Sequence, residues 1–314
     1  MESPYILLIS LLLISFLFAP SLALAYNIRA IFTFGDSIFD AGNNHFNKNC
    51  TAQADFPPYG SSFFRHPTGR FTNGRTVVDF ILMPIQDQLQ QFQTLVDQNK
   101  IDKDLIRQSF FLFESGSNDI FNYFLSFDPP TLNPDAYVQS MLTQVEDFID
   151  SLYRLGARSL AVFSLGPVGC VPARAVLPSA PVDRCFGKMN KMVKNYNQGL
   201  ENLVKNVHIK YPGVAGVYGA VYDIVQLFRA MPMRYGILNV SSACCGYGTL
   251  GGQMQCGKEG YYICSNPNQF LFWDFFHPSE HTYKLISKLL WSGSQSRIRP
   301  FNLKTLANIT LLHS

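Results

Sequence analysis

An uninterrupted apolar run that ends in Gly-Asp-Ser is the sequence feature that most constrains the fold of this chain. Residues 31–34 (IFTF) show no polar alternation and pass directly into Gly35-Asp36-Ser37. Such a run predicts a strand buried on both faces, as in a parallel sheet covered by helices. Ser37 then lies at the carboxyl end of that strand, on the edge of an open α/β sheet where ligands bind.

Three more apolar runs alternate with segments of helical periodicity. The predicted strands are residues 109–113, 159–164 and 214–218, and the predicted helices begin near residues 85, 134, 188, 223 and 281. On the helix that begins at Ile85, residues Leu89, Phe92 and Val96 form the apolar stripe, and the glutamines are expected on the solvent face. This alternation predicts an α/β fold with a mostly parallel sheet between helical layers.

The first 25 residues have the features of a secretory signal peptide. Residues 5–18 are almost wholly apolar, and Ala23-Leu24-Ala25 supplies small residues in the A-x-A order of a cleavage site. No Lys or Arg precedes the apolar segment, so an uncleaved membrane anchor is the alternative. Residues 26–314 are predicted to form one domain with a substantial core. No other stretch is long and apolar enough to span a bilayer.

The net charge and the glycosylation motifs restrict which kinds of partner and which cellular location are expected for the chain. The formal net charge is +3, only 15% of the residues are charged, and no Lys/Arg run occurs, which argues against a nucleic-acid-binding surface. Three Asn-x-Ser/Thr triplets, at Asn49, Asn239 and Asn308, are candidate glycosylation sites and fit export.

Seven cysteines in an exported chain predict disulfide bonds. Cys170 is expected to pair with Cys185, and Cys50 is the candidate for the unmatched cysteine. The other four are expected to pair among themselves in a connectivity that the sequence leaves open: Cys244, Cys245, Cys256 and Cys264. They lie in a glycine-rich segment, which is predicted to be an irregular loop stapled by those bonds.

Ser37 and a distant Asp-x-x-His pair supply the side chains of a catalytic triad. A serine hydroxyl is a weak nucleophile unless a base removes its proton and a third group orients the base. Asp274 and His277 are three residues apart, so a helical turn or tight loop places them on one face. Asn118 follows the second predicted strand and can donate its side-chain N–H to an oxyanion, together with the backbone N–H of Ser37.

Patterns that bind cofactors are weak in this sequence. His277 and His281 have H-x-x-x-H spacing, but no Glu follows the first His and Pro278 disfavours one continuous helix. A G-x-G-x-x-G run from Gly246 to Gly251 lies in the cysteine-rich segment, without a strand before it or a helix after it. We therefore expect neither a metal ion nor a nucleotide cofactor. The remaining histidines lack a setting comparable to that of His277: His45, His66, His208, His281 and His313.

Taken in order, the motifs of this chain resemble those of the plant GDSL esterase/lipase family, in the SGNH hydrolase superfamily. They are Phe34-Gly35-Asp36-Ser37, Pro57-Pro58-Tyr59-Gly60, Gly116-Ser117-Asn118-Asp119, Ala243-Cys244-Cys245-Gly246 and Trp273-Asp274-Phe275-Phe276-His277-Pro278. The resemblance implies a flavodoxin-like three-layer α/β/α sandwich, secretion and hydrolysis of acyl esters or lipids without a cofactor. It also implies that Ser37 is the nucleophile, that Asp274 and His277 complete the triad, and that Asn118 is an oxyanion donor.

One block of that family is not found here. Members carry a Gly-x-Asn-Phe-Ala-like strand exit before the Gly-x-Asn-Asp block, and its glycine N–H is a further oxyanion donor. This chain passes from Leu82 directly to Met83, where several dozen residues are expected to be absent. Loss of one oxyanion donor costs about 10²–10³ in turnover. Loss of the block also makes the strand before Ser37 an edge strand, with unpaired backbone groups and exposed apolar side chains.

These patterns predict a secreted serine esterase or lipase that acts through an acyl-enzyme intermediate. Two alternatives stay open. A catalytically impaired truncated isoform or pseudoenzyme keeps the triad residues without the missing block, whereas an acyltransferase or carbohydrate deacetylase uses the same site with another acceptor or acyl group.

Overall fold

The computed structural model describes four stretches of this 314-residue chain: residues 28–39, 53–76, 85–125 and 131–312. The predicted signal peptide (1–25), Asn49, Cys50 and the junction between Leu82 and Met83 lie outside these stretches. The described residues form an α/β fold around a mainly parallel sheet, as the sequence predicts. None of the described helices is both long enough and apolar enough to cross a membrane.

Five of the nine described strands form the central sheet. The strands are β1 (Ile31–Gly35), β2 (Phe110–Glu114), β3 (Ser159–Phe163), β4 (Ala215–Gly219), β5 (Asn239–Ala243), β6 (Cys245–Gly246), β7 (Tyr262–Ile263), β8 (Phe270–Phe272) and β9 (Ile298–Arg299). The sheet order is β1-β2-β3-β4-β9, in which β1 to β4 are parallel and β9 is antiparallel to β4. The four strands expected from apolar runs are confirmed, and β9 adds an edge that the sequence analysis does not anticipate.

Eight α-helices are described in these stretches. They are α1 (Ile85–Asp97), α2 (Lys103–Arg107), α3 (Ser117–Tyr123), α4 (Pro134–Leu155), α5 (Gly187–Lys210), α6 (Val221–Ala230), α7 (Glu280–Ser292) and α8 (Leu303–Leu312). Helices α1, α4 and α5 pack together, as do α7 and α8. The periodicity correctly predicts five of the eight helices, but it misses the short helices α2 and α3 and the C-terminal helix α8.

Two glycines of β4 show how helices close on the sheet. A Cβ atom at Gly216 would press on Val207 of α5, whereas a Cβ atom at Gly219 would press on Phe163 and on Leu290 of α7. Strand residues three apart point to opposite faces, so α5 and α7 lie on opposite sides of the sheet. The result is the expected three-layer α/β/α sandwich.

Aromatic packing holds β1 against the helical layer of α1 and α4. The ring of Phe34 lies 5.1 Å from that of Phe148 in α4 and 5.8 Å from that of Phe92 in α1, between centroids. Phe32 lies 4.9 Å from the same Phe92 ring. Each such pair contributes about 0.5–1.5 kcal/mol beyond the burial of its surface. Helix α1 is therefore docked firmly on β1.

β1 is the outer strand of the described sheet, but its exit is not left unpaired. The N–H of Gly35 donates to Oε1 of Gln88 (3.1 Å), and Nε2 of Gln88 donates to the carbonyl oxygen of Gly35 (2.8 Å). Two sequence-based expectations are therefore wrong here. Gln88 is buried, whereas Gln90, Gln91 and Gln93 face solvent as expected, and the edge groups of Gly35 have a partner. The expected exposure of an apolar side chain on this edge strand is confirmed at Ile31, which is 50% exposed.

The cysteine-rich segment and the loop over residues 53–76 form a small second core beside the sheet. Trp273, Tyr59 and Phe71 are buried in it together with three half-cystines, and the half-buried Cys264 packs against it. The described disulfides are Cys170–Cys185, Cys244–Cys264 and Cys245–Cys256. They confirm the first expected pair and resolve the connectivity of the other four cysteines. The segment is more regular than expected, since β5 pairs with β8 and β6 pairs with β7.

Candidate active site

Ser37 lies at the exit of β1, in a single 3₁₀ turn over Ser37–Phe39. Gly35 allows this exit to run close to the next strand, because a Cβ atom there would collide with the carbonyl oxygen of Glu114. Oδ1 of Asp36 accepts a hydrogen bond from the N–H of Ile38 (3.2 Å) and fixes the turn. The buried Ser37 side chain thus lies at the carboxyl end of the sheet, where the sequence places it.

His277 brings the C-terminal part of the chain into contact with Ser37 in the N-terminal part. Its Nε2 lies 2.7 Å from Oγ of Ser37, and its Nδ1 lies 2.9 and 3.0 Å from the two carboxylate oxygens of Asp274. When Nδ1–H is donated to the carboxylate, the lone pair of Nε2 faces the serine hydroxyl, which is the tautomer that a general base needs. The structure thus brings together Ser37, His277 and Asp274 in that hydrogen-bonded order.

Asp274 accepts hydrogen bonds from several donors besides the imidazole. Oδ1 accepts from the backbone N–H groups of Phe276 (2.9 Å) and His277 (2.7 Å), and Oδ2 accepts from the hydroxyl of Tyr59 (2.7 Å). Burial opposes ionisation, but the attraction of His277 and the hydrogen bonds from residues 276 and 277 lower the pKa of Asp274 below its ordinary value. Burial, reinforced by Asp274, raises the pKa of Tyr59 well above its ordinary value. Tyr59 is therefore a neutral donor.

The loop over residues 53–76 packs on the acid–base pair from outside. The ring of Phe71 lies 4.8 Å from the imidazole of His277. Oγ1 of Thr72 donates to the carbonyl oxygen of Pro278 (3.2 Å). Together with the phenol hydrogen bond to the carboxylate, these contacts orient the segment that carries His277.

A pair of buried carboxyl groups lies behind the nucleophile. Glu114 ends β2 opposite Gly35 in the sheet register, and its side chain is hydrogen-bonded to that of Asp36. Burial raises the pKa of Asp36 to about 6 and raises the pKa of Glu114 well above its ordinary range, so the pair holds a proton near neutral pH. Oδ2 of Asp36 and Oε2 of Glu114 have no other partner among the described residues, as expected if the pair shares this proton.

Asn118 is placed near the strand exits but is not hydrogen-bonded to the triad. It lies in the first turn of α3, directly after the exit of β2, and its side chain is exposed. Among the described hydrogen bonds, none connects it to Ser37, His277 or Asp274. Its role as an oxyanion donor stays a prediction.

The other candidate ligands do not converge on a site. Within residues 28–39, 53–76, 85–125 and 131–312, no three or more His, Cys, Asp or Glu side chains are grouped to hold a metal ion. Nε2 of His281 lies 2.8 Å from the carbonyl oxygen of Tyr235. The run from Gly246 to Gly251 continues from β6 into a short 3₁₀ turn.

Two of the three glycosylation motifs fall on described residues. Oδ1 of the half-buried Asn239 accepts from the N–H groups of Ser241 (3.0 Å) and Ser242 (2.9 Å), which leaves its amide nitrogen outside that turn. Asn308 is exposed on α8. Both stay candidate sites.

A small apolar cavity adjoins the triad. Its volume is about 60 Å³, and its walls include Ile38, Phe276 and Pro278, the chain neighbours of Ser37 and His277. The rest of its lining is mainly apolar and comes from β3 and the residues that follow it, from β8, and from α6 and α7; Glu114 of β2 and Ser117 of α3 are among its polar members. A cavity of this size accommodates only a short hydrocarbon segment.

Comparison with known proteins identifies the family. Residues 31–290 match the model of the GDSL-like lipase/acylhydrolase family. The chain belongs to this family. The GDSL-family chain is 59% identical to GDSL esterase/lipase 6 of Arabidopsis thaliana, over 89% of this chain and 91% of the relative. It is 30% identical to GDSL esterase/lipase 7 of the same plant (89% and 92% covered) and to a GDSL lipase of Tanacetum cinerariifolium (88% and 87% covered). This GDSL-family protein is accordingly a carboxylic ester hydrolase, as the sequence predicts.

The alignment lengths agree with an internal deletion in this GDSL-family chain. The alignment with GDSL esterase/lipase 6 spans 328 positions but uses only 89% of the 314 residues, or about 279, so about 49 aligned positions have no residue of this chain. The expected absence is several dozen residues. Its predicted position, between Leu82 and Met83, lies outside the described residues.

Sequence reasoning missed three side chains that support the site. Tyr59 lies in the Pro-Pro-Tyr-Gly block, where nothing local indicates a bond to Asp274. Glu114 ends an otherwise apolar strand, and a carboxyl in such a run signals a buried polar contact. Gln88 follows Ile85 by three residues and precedes Phe92 by four, which places it on the apolar stripe of α1. That spacing is the signal that would have found it.

Proposed function

We propose that this chain is a secreted serine esterase that hydrolyses carboxylic acyl esters through Ser37, His277 and Asp274. The observation that carries the proposal is the chain of hydrogen bonds from Oγ of Ser37 to Nε2 of His277 (2.7 Å) and from Nδ1 to Asp274 (2.9 Å). A hydroxyl at this distance from a ring nitrogen is positioned for proton transfer. The ionised, buried carboxylate stabilises the imidazolium that the transfer creates.

Acylation begins when Oγ of Ser37 attacks the acyl carbon of the ester and its proton moves to Nε2 of His277. The carbonyl electron pair moves onto oxygen, and the proposed donors to this oxyanion are the backbone N–H of Ser37 and the side-chain N–H of Asn118. The imidazolium then protonates the leaving alcohol oxygen as the ester C–O bond breaks, which leaves an acyl-enzyme. A water molecule, deprotonated by His277, then attacks that acyl group. The imidazolium returns the proton to Oγ of Ser37 as the acyl C–Oγ bond breaks, which releases the acid and free Ser37.

The proposed oxyanion hole lacks one donor relative to the family pattern. Removal of one such donor costs about 10²–10³ in turnover. We therefore propose a slow esterase, and the impaired isoform is the limiting case in which the loss is complete.

The substrate that fits this site is an ester with an apolar acyl group. The cavity of about 60 Å³ beside Ile38 and Phe276 favours a short acyl chain over a long one, because burying each methylene contributes about 0.8 kcal/mol only where space exists for it. The three disulfides and the expected signal peptide support secretion. Glycans at Asn239 and Asn308 would accompany export.

The test is hydrolysis of p-nitrophenyl acetate and butyrate by the purified chain, beside the variants Ser37→Ala and Ser296→Ala. The last is a matched control, because Ser296 is exposed and remote in sequence from the site. We expect turnover by the wild type and the control, and a loss of about 10⁴-fold or more in Ser37→Ala. Equal inactivity of wild type and Ser37→Ala, with both folded by circular dichroism, would contradict the proposal.

A covalent probe separates a slow enzyme from a dead one. A fluorophosphonate reacts once with an activated serine, so labelling does not depend on many turnovers. We expect mass spectrometry to find the label on Ser37 in the wild type. An unlabelled Ser37 in the folded wild type would indicate a pseudoenzyme.

A further inference from the structure

At the exit of β1, a side chain forms the backbone hydrogen bonds that a neighbouring strand would otherwise form. The carbonyl of Ala30 accepts from the N–H of Phe110 in β2. Backbone groups of successive strand residues alternate in direction, so Phe34 also faces β2 whereas Gly35 directs its N–H and carbonyl to the open edge. Both of these Gly35 groups are bonded to the carboxamide of Gln88, at 3.1 and 2.8 Å.

The carboxamide of Gln88 is chemically equivalent to a peptide group. It presents one acceptor oxygen and an N–H donor in the same plane, which is what one residue of a paired strand presents. Gln88 is only 3% exposed, so water does not compete for these bonds. The contacts of Phe92 with Phe32 and Phe34 hold α1 in the position that the pairing requires.

We propose that Gln88 is a positioning residue for the esterase reaction, because it fixes the direction in which Asp36 and Ser37 leave the sheet. Ser37 lies two residues beyond the bonded Gly35, and its Oγ must stay 2.7 Å from a histidine on a separately anchored segment. Misplacement by about 1 Å at such a site costs about 10²-fold in rate. The catalytic half of this inference rests on the proposed function, whereas the pairing of Gly35 with Gln88 does not.

The variants Gln88→Met and Gln93→Met of the full chain separate hydrogen bonding from packing. Methionine keeps the length and helix propensity of glutamine but cannot form the two bonds. Gln93 is exposed on the same helix, so it is a matched control. Two quantities are measured: hydrogen–deuterium exchange of peptides that cover residues 31–37, and kcat and KM for p-nitrophenyl butyrate well below the unfolding temperature.

We expect the hydrogen–deuterium exchange of residues 31–37 to be faster in Gln88→Met than in the wild type. The increase should be larger there than in the other strands of the sheet. The kcat of Gln88→Met should fall about 10- to 100-fold with KM changed by less than about 3-fold, because the loss is in alignment and not in substrate binding. Gln93→Met should match the wild type in both measurements. Unchanged exchange in Gln88→Met, or faster exchange with unchanged kcat, would overturn the inference. Failure of the proposed function looks different, since the wild type itself would then neither turn over ester nor accept the fluorophosphonate.

Gln88→Glu provides a second test, and it serves even if Gln88→Met does not fold. A carboxylate accepts from the N–H of Gly35 but repels its carbonyl, whereas the neutral carboxylic acid again offers one donor and one acceptor. Protection of residues 31–37, relative to wild type at each pH, should therefore recover as pH falls from about 8 to about 5. Asp36 and Glu114 titrate in both proteins and would interact with a carboxylate at position 88, so the double variant Gln88→Glu/Glu114→Gln is measured beside Glu114→Gln in the same way. Protection that does not depend on pH would show that Gln88 acts only by packing.

Discussion

The two segments that meet at the triad are held in different ways. In the acid–base segment (Trp273–Pro278), Asp274 accepts from Tyr59 and from two backbone N–H groups, and the segment packs on a core stapled by two disulfides. In the nucleophile segment (Ile31–Phe39), an outer strand is secured on its open side by one glutamine. The acid–base segment therefore has several anchors at its carboxylate. The nucleophile segment is paired with β2, but among the described residues its open edge is hydrogen-bonded by Gln88.

This difference predicts where substitutions hurt the most. A change that removes one of several anchors around Asp274 should be partly compensated. Within the described stretches the open edge at the exit of β1 has no second anchor of this kind, so a change there should disturb both stability and activity.

Asp274→Asn is expected to cause the largest loss of activity, because it removes the negative charge that the donors around Asp274 stabilise. The neutral amide favours the wrong imidazole tautomer, and we expect kcat for p-nitrophenyl butyrate to fall about 10⁴-fold with the fold intact. The exposed Asp223 provides the control, Asp223→Asn, which should keep full activity. A loss below about 10-fold in Asp274→Asn would show that His277 does not work with this carboxylate.

Gly35→Ala tests whether a single substitution in the nucleophile segment disturbs both stability and activity. The added methyl group collides with the carbonyl of Glu114, so β1 must shift, and we expect destabilisation by about 1–3 kcal/mol or more in urea unfolding, with a loss of kcat. Gly187→Ala is the control, since a Cβ atom there meets nothing within 4 Å. Equal effects of the two substitutions would contradict the comparison.

Glu114→Gln tests the carboxyl pair of the nucleophile segment through pH. The pKa of Asp36 is raised from 3.8 to about 6 and that of Glu114 is raised well above its ordinary value. The folded protein thus holds protons that the unfolded chain releases, and stability falls as pH rises from about 4 through about 6. We expect Glu114→Gln, which donates an N–H to the Asp36 carboxylate, to lessen this fall by an amount on the order of 1–3 kcal/mol.

The measurement is the free energy of unfolding between about pH 4.5 and 7.5, a range in which Asp274, whose pKa is lowered, stays ionised. The exposed Glu259 supplies the control Glu259→Gln, which should follow the wild-type curve. A Glu114→Gln curve parallel to the wild type would refute the shared proton.

Tyr59→Phe should have the smallest effect, because Asp274 keeps its other donors. We expect a loss of about 1–2 kcal/mol in stability and about 10-fold in kcat. The half-exposed Tyr261 gives the control Tyr261→Phe. If Tyr59→Phe matches Asp274→Asn in its loss of activity, the anchors of the acid–base segment are not redundant.

The parts that were predictable from sequence have local signals. The apolar runs of β1 to β4 and the stripes of α4 and α5 follow from periodicity within each segment. The placement of Ser37 and Asn118 at one edge of the sheet follows from parallel topology, since strand exits share an edge. Asp274 and His277 instead follow β8, which pairs with β5 outside the central sheet, and only their Asp-x-x-His spacing indicates them. Their roles stay a proposal.

The parts that were not predictable depend on contacts across long sequence separations. Gln88 bonds to Gly35 across 53 residues and Tyr59 bonds to Asp274 across 215 residues, and no local pattern encodes such a pairing. β9 has only two residues, Ile298 and Arg299, which is too short for a periodicity signal. These are tertiary choices that become visible only when the chain is folded.

The position of Trp273 gives this molecule a built-in spectroscopic reporter. The chain has two tryptophans: Trp273 is fully buried next to Asp274, and Trp291 is 38% exposed on α7. When tryptophan is excited selectively, the blue-shifted part of the fluorescence therefore comes from the small core under the acid–base segment, because neither tryptophan belongs to the main sheet core. Tryptophan emission would thus follow the unfolding of the region around Asp274. Far-ultraviolet circular dichroism, measured in the same denaturation, would follow the unfolding of the α/β/α sandwich.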